Sequence, residues 1–214
     1  MNNMFEQLYE QLRSESIFKP KSMEEVIQEI LSQANATKNE DGSYDATGNV
    51  ELDGLGLTKI PVKFRYVDKS FYCEYNNLIS LEGVPKEVGE HFWCSHNKLT
   101  SLKGVPIKVG GFFNCSHNNL TSLRGVPKEV GERFDCGHNE LTSLEGAPVK
   151  INGYFVCSNN NLTSLEGAPK EVSGFFSCIG NKLTSLEGVG EVKGEIHCQG
   201  NPVSEDKLLK TIGR

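Results

Sequence analysis

Six cysteines, Cys73, Cys94, Cys115, Cys136, Cys157 and Cys178, follow one another at steps of 21 residues, and Cys198 comes 20 residues after the last of them. A fixed step held this long means an array of coils, each too small to bury its own apolar side and each completed by its neighbours. Every other feature keeps the same step. Phe71, Phe92, Phe113, Phe134, Phe155 and Phe176 stand two residues before the cysteines, with Ile196 in the last unit. Asn76, Asn97, Asn118, Asn139, Asn160, Asn181 and Asn201 follow the cysteines by three, and leucines from Leu78 to Leu183, then Val203, come two residues later. The unit reads FxCxxNxLTSLxGxPxxVxxx.

One step before Phe71, the residues Val50, Leu52, Leu55, Leu57 and Ile60 keep the apolar pattern without the cysteine or the asparagine, as a terminal repeat does. Eight strands are therefore predicted, beginning at Val50, Phe71, Phe92, Phe113, Phe134, Phe155, Phe176 and Ile196. Within FxC the alternation has the period of a strand with one buried face, so Phe and Cys point inward. The stretch Glu82 to Glu87 carries Gly and Pro in a space too short for a packed helix, which predicts an irregular return. Phe92, Cys94, Leu99, Leu102 and Val109 exemplify the inward set. Parallel strands about 4.8 Å apart give eight coils a sheet roughly 34 Å long, the size of a protein-docking surface. The asparagines are expected inside the turn after each strand, their amides satisfying backbone groups that the bend leaves unpaired.

The fold class that follows is α+β: a parallel β-sheet solenoid over residues 50–203, with residues 1–49 as a helical cap and lead-in and 204–214 as a C-terminal capping helix. Phe5, Leu8 and Leu12 share one helical face, and Ser22 with Glu25 makes a capping box before Met23, Val26, Ile27, Ile30 and Leu31. The polar run Thr37 to Ser43 reads as a loop, and Tyr44 to Gly48 leads into the array. Ser204 is placed to cap a helix carrying Leu208, Leu209 and Ile212.

The segment FxCxxNxL resembles the LxLxxNxL strand and turn of leucine-rich repeats, over about Val50 to Val203. The finer pattern, LTSLEGAPKEV followed by a strand ending in CSxN, is similar to short leucine-rich-repeat proteins of bacteriophages and other large DNA viruses. That resemblance implies a curved binding solenoid, and a viral protein acting on a host protein. Cysteine replaces the usual apolar strand residue, and Leu55 stands where the first asparagine belongs. Bacterial ubiquitin-ligase effectors are similar in repeat length but follow the repeats with a large catalytic domain. Only Ser204 to Arg214 follows here, so ligase chemistry is not expected.

A net charge of −6 argues against a non-specific grip on nucleic acid or anionic lipid and favours a partner with a basic or apolar surface. No apolar run approaches the roughly 20 residues of a membrane span, and the first residues lack the basic and apolar regions of a signal peptide, which reads as cytoplasmic, or host cytoplasm for a viral protein. An odd cysteine count in that setting speaks against a disulfide framework. The cysteine column is read as core, because zinc needs ligands that converge and this column is linear.

His96, His117 and His138 form a second column just before the asparagines, where Tyr75 and Asn159 occupy the equivalent places. Repeat duplication accounts for the recurrence without a metal, and protonation of the column below pH 6.5 would change partner binding. The residues that vary while the frame stays fixed point outward. Tyr72 and Trp93 follow the strand-start residue, and His91, Phe112, Arg133, Tyr154 and Phe175 precede it. Trp, Tyr and Arg are typical interface anchors, and Glu51, Asp53 and Glu74 would face a basic region of the partner. The competing reading has some of these aromatics covering the sheet. No P-loop, GxSxG, HExxH or isolated carboxylate pair is present, so neither catalysis nor a cofactor is expected. The leading expectation is a protein-binding solenoid; the alternatives are an assembly protein dimerising through residues 1–35, and a small-ligand or glycan binder using the aromatic strip.

Overall fold

The computed structural model describes residues 21–127 and 129–213. Strands at Val50–Glu51, Phe71–Tyr72, Phe92–Trp93, Phe113–Asn114, Phe134–Asp135, Phe155–Val156, Phe176–Ser177 and Ile196–His197 form one eight-stranded parallel sheet in sequence order. Each phenylalanine pairs with the phenylalanine of the next coil, and Phe176 with Ile196. The hydrogen-bonded ladder runs beyond these short strands: the amides of Phe92, Cys94 and His96 donate to Phe112, Asn114 and Ser116 at 2.8, 2.9 and 3.2 Å. The chain is thus the parallel β-solenoid that the 21-residue step requires.

Register turns the sequence columns into stacks. The six phenylalanines are fully buried, with successive ring centroids from Phe71 to Phe176 5.2–5.7 Å apart and planes within 24°. Burial of each contributes on the order of 2–3 kcal/mol. The cysteines and both leucine columns lie beside them at zero exposure. Each of Cys73, Cys94, Cys115, Cys136 and Cys157 also donates its thiol, at 3.3–3.4 Å, to a carbonyl of the next coil. That weak bond distinguishes cysteine from the aliphatic residue it replaces.

The return expected to be irregular contains a second strand in each of the first seven coils. Phe64–Val67, Glu87–Val88, Lys108–Val109 and Glu129–Val130 belong to a six-stranded sheet, and Lys150–Ile151, Glu171–Val172 and Glu191–Val192 to a three-stranded one. Outward residues of successive return strands alternate in charge from Glu87 to Glu171, giving Lys108–Glu129 and Lys150–Glu171 pairs at 3.4 and 2.9 Å, whereas the last strand sets Glu191 beside Glu171, which Lys193 also meets at 3.3 Å. Like charges side by side would oppose the pairing. The corner between the two faces explains where this second sheet divides. A Cβ on Gly89, Gly110 or Gly131 would come within 1.7–1.9 Å of a carbonyl oxygen one coil back, so only glycine fits. From the next coil on, Asn152, Ser173 and Lys193 fill that place, glycine moves one residue along to Gly153, Gly174 and Gly194, and the division falls at this change.

Both ends are covered. Helix α1, Met23–Gln33, starts at the expected capping box, Ser22 N donating to Glu25 Oε2 at 2.7 Å, and buries Ile30 and Leu31 over the first coil. Residues 39–43 of the run read as a loop are the turn of a hairpin, and Thr37 and Lys38 belong to its first strand: β1, Ala36–Lys38, pairs antiparallel with β2, Tyr44–Ala46, which continues in parallel onto Phe64–Val67. Gly42 at φ +79° and the Asp41 carboxylate, accepting from Ser43 N at 3.0 Å, close its turn. The helix expected from Phe5, Leu8 and Leu12 lies outside the described residues. At the other end α2, Glu205–Lys210, buries Leu208, while the Ser204 side chain makes no capping bond and the helix is tied down by Thr211 Oγ1, which accepts Leu186 N at 3.0 Å.

Candidate partner-binding face

The asparagine column fixes the turn that presents this face. Asn97 Nδ2 donates to Cys94 O and Ser95 O of its own coil and to Cys73 O of the coil before, at 3.2, 3.1 and 2.9 Å. Its Oδ1 accepts Leu78 N at 2.9 Å. One buried amide thereby satisfies backbone groups of two coils, and the arrangement repeats at Asn76, Asn118, Asn139, Asn160 and Asn181. These residues are structural.

Immediately before each asparagine the backbone is left-handed. Tyr75, His96, His117, His138 and Asn159 have φ of 51, 51, 52, 52 and 55°, and Gly54, Gly180 and Gly200 hold the same place in the end coils at 66, 65 and 72°. For a residue with a Cβ this conformation costs roughly 1–2 kcal/mol. The side chains form one ladder: centroids of Tyr75, His96, His117 and His138 are spaced 4.3, 4.1 and 4.0 Å with planes 10–11° apart. Asn159 Nδ2 ends it, 3.0 Å from His138 Nε2, a contact in which that nitrogen accepts. Tyr75 is 63% exposed. Burial, and then the neighbouring His138 and His96, push the His117 pKa below its ordinary value. Parallel rings carry their lone pairs side by side, which does not suit one tetrahedral ion, and no metal-binding group of three His, Cys, Asp or Glu occurs among the described residues.

Two further columns flank the buried phenylalanines. In the first, Tyr72 and Trp93 lie tilted at 6.4 Å, both half-buried. In the second, His91 stacks on Phe112 at 4.5 Å and accepts the Phe112 amide on Nδ1 at 3.0 Å. Tyr154 stacks on Phe175 at 4.4 Å, and the Phe175 ring meets His197 edge-on at 5.4 Å. Arg133 stands between the two stacks and donates to Asp135. The ten residues singled out from the sequence thus fall into three columns. Phe112 and Phe175 are half-buried, so they partly cover the sheet, while Tyr154 remains 44% exposed.

Two donors in these columns are buried without a protein partner: Trp93 Nε1 and Arg133 Nε. A buried donor left unpaired costs about 1–3 kcal/mol. At the first coils the carboxyls of Asp53 and Glu74 are pushed above their ordinary values, in each case by burial first, and Asp53 Oδ1 accepts Glu74 N at 2.6 Å. The buried thiols are pushed well above theirs at Cys73, Cys94, Cys115, Cys136 and Cys157, which leaves them poor nucleophiles. Sequence reasoning found the histidine column but missed its left-handed backbone, although the glycines at the same step in the end coils carried that signal. Comparison with known proteins gives no matching family model and no matching curated protein.

Proposed function

We propose that this chain is a non-catalytic binding protein that holds a protein partner across the three outward columns. The observation that carries the reading is the ladder at Tyr75, His96, His117, His138 and Asn159, five coils in succession with a side chain where the end coils use glycine. Stacking returns about 0.5–1.5 kcal/mol per ring pair, close to what the left-handed backbone costs, so the ladder adds little to stability. Its exposed ring edges are what it supplies. The acidic Glu51, Asp53 and Glu74 suit a basic region at one end of that partner. The similarity of the LTSLEGAPKEV and CSxN pattern to short leucine-rich-repeat proteins of bacteriophages and other large DNA viruses points to a host protein as the occupant, and to action in the host cytoplasm.

Immobilised protein exposed to bacterial lysate, compared by mass spectrometry with a Trp93→Glu, Tyr154→Glu variant, tests this. The reading expects a stoichiometric partner retained by the wild type alone. Equal capture by both proteins, or capture of nothing above background, rejects it.

A further inference from the structure

The first coil departs from the consensus on its return side. Val62 and Phe64 stand where the next coil has Gly83 and Pro85, Lys59 stands where it has Ser80, and the strand Phe64–Val67 is four residues long instead of two. An extended return therefore meets a turning one. Gly83, at φ +98°, is so close that a Cβ there would lie 3.2 Å from Ile60 Cβ. This seam opens outward as a groove of about 800 Å³, whose lining includes Ile60, Val62, Ile79 and Val84. Ile79 is 68% exposed and occupies the place held by Thr100, Thr121, Thr142, Thr163 and Thr184 in later coils. At this position of the repeat, a polar surface residue has been exchanged for an apolar one in this coil alone.

The groove's charge runs against that of the chain. Lys59, Lys63, Arg65 and Lys86 line it against Asp41 and Glu82, in a protein of net charge −6. Lys63 pairs with Asp41 at 3.4 Å and Arg65 with Asp45, which leaves Lys59 and Lys86 exposed and outside any ion pair among the described residues. We propose that this groove is a second docking site, separate from the three outward columns, for a protein segment that presents a large apolar side chain flanked by carboxylates. The apolar chain covers Ile60, Val62 and Ile79, and the carboxylates meet Lys59 and Lys86. Complementarity of charge selects this occupant over a basic or neutral one. A chain with an acidic binding face and a basic groove can then hold two partners of opposite charge.

The test is selection of random twelve-residue peptides on the whole protein, with counter-selection on a Lys59→Glu, Lys86→Glu variant. Both lysines are exposed and unpaired, so the variant should unfold at the same midpoint as the wild type. The expected survivors carry Leu, Ile or Phe between Asp or Glu residues, bind about tenfold more weakly to the double variant, and weaken at higher salt. Ile79→Thr, which installs the residue of the later coils, should weaken them about threefold while leaving partner capture on the outward columns intact. Survivors without carboxylates, or a selection that yields no peptide distinguishing the two proteins, overturns the proposal. Loss of lysate capture in the Trp93→Glu, Tyr154→Glu variant with peptide binding intact would show that the two sites stand or fall separately.

Discussion

Asn139→Ala removes the central rung of the amide column, and its cost follows from four hydrogen bonds. Asn139 Oδ1 accepts the Leu120 amide at 3.0 Å, and Leu120 is fully buried, so alanine leaves that N–H without an acceptor. An orphaned buried donor costs about 2 kcal/mol. Nδ2 also donates to Cys115 O, Cys136 O and Gly137 O at 3.1, 3.1 and 3.2 Å. Loss of these donors adds roughly 0.5 kcal/mol each, for a total of about 3–4 kcal/mol. The exposed neighbour Asn119 makes no such bonds, and Asn119→Ala should change stability by less than about 0.5 kcal/mol. Urea unfolding followed by circular dichroism measures both. Because each coil contacts only its neighbours, the Asn139 variant should also unfold in two steps, with amide exchange accelerated first around the altered coil. Asn139→Asp should be worse than alanine at neutral pH, since a carboxylate would face three carbonyl oxygens. A loss for Asn139→Ala no larger than that of Asn119→Ala would refute the assignment of these residues as the tie between coils.

Alkylation of the native protein with iodoacetamide at pH 8 should leave Cys94, Cys115, Cys136 and Cys157 unmodified, because burial both covers these thiols and holds them protonated; urea should expose them, and rapid native labelling would contradict the packing. Asp53 and Glu74 titrate above their ordinary values of 3.8 and 4.5, so the folded state holds more protons there and their contribution to stability falls as pH rises through that window. A combined Asp53→Asn, Glu74→Gln variant should therefore raise the unfolding midpoint at pH 7 and lose that gain below pH 3.8; an unchanged midpoint would remove the strain assigned to this corner. Lys108→Glu, which sets three glutamates in adjacent strands at residues 87, 108 and 129, should destabilise by a few tenths to about 1 kcal/mol, less in high salt.

The first sheet was legible because strict repetition lets one interpretation of FxC serve every coil, and each predicted strand start coincides with a register pair. The second sheet was hidden by its shortness. A two-residue strand such as Glu87–Val88 or Lys108–Val109 shows no alternation along the chain, and the Lys/Glu alternation that pairs these strands appears only between one coil and the next. The hairpin at Ala36–Ala46 was hidden by Asn39, Asp41 and Gly42, polar residues that close a tight turn but also fill loops. The half-burial of Phe112 and Phe175 came from stacking across coils, which no single repeat displays. The seam groove was missed because it arises where the repeat fails.

The most direct test of the binding face is the triple variant His96→Gly, His117→Gly, His138→Gly, titrated calorimetrically against the partner that lysate capture identifies. Glycine already serves this position at Gly54, Gly180 and Gly200, so relief of the left-handed backbone should offset the lost stacking and leave the unfolding midpoint close to that of the wild type. With the fold intact, affinity should fall by about tenfold or more. Wild-type affinity in that variant would contradict the claim that the ladder is there to be bound.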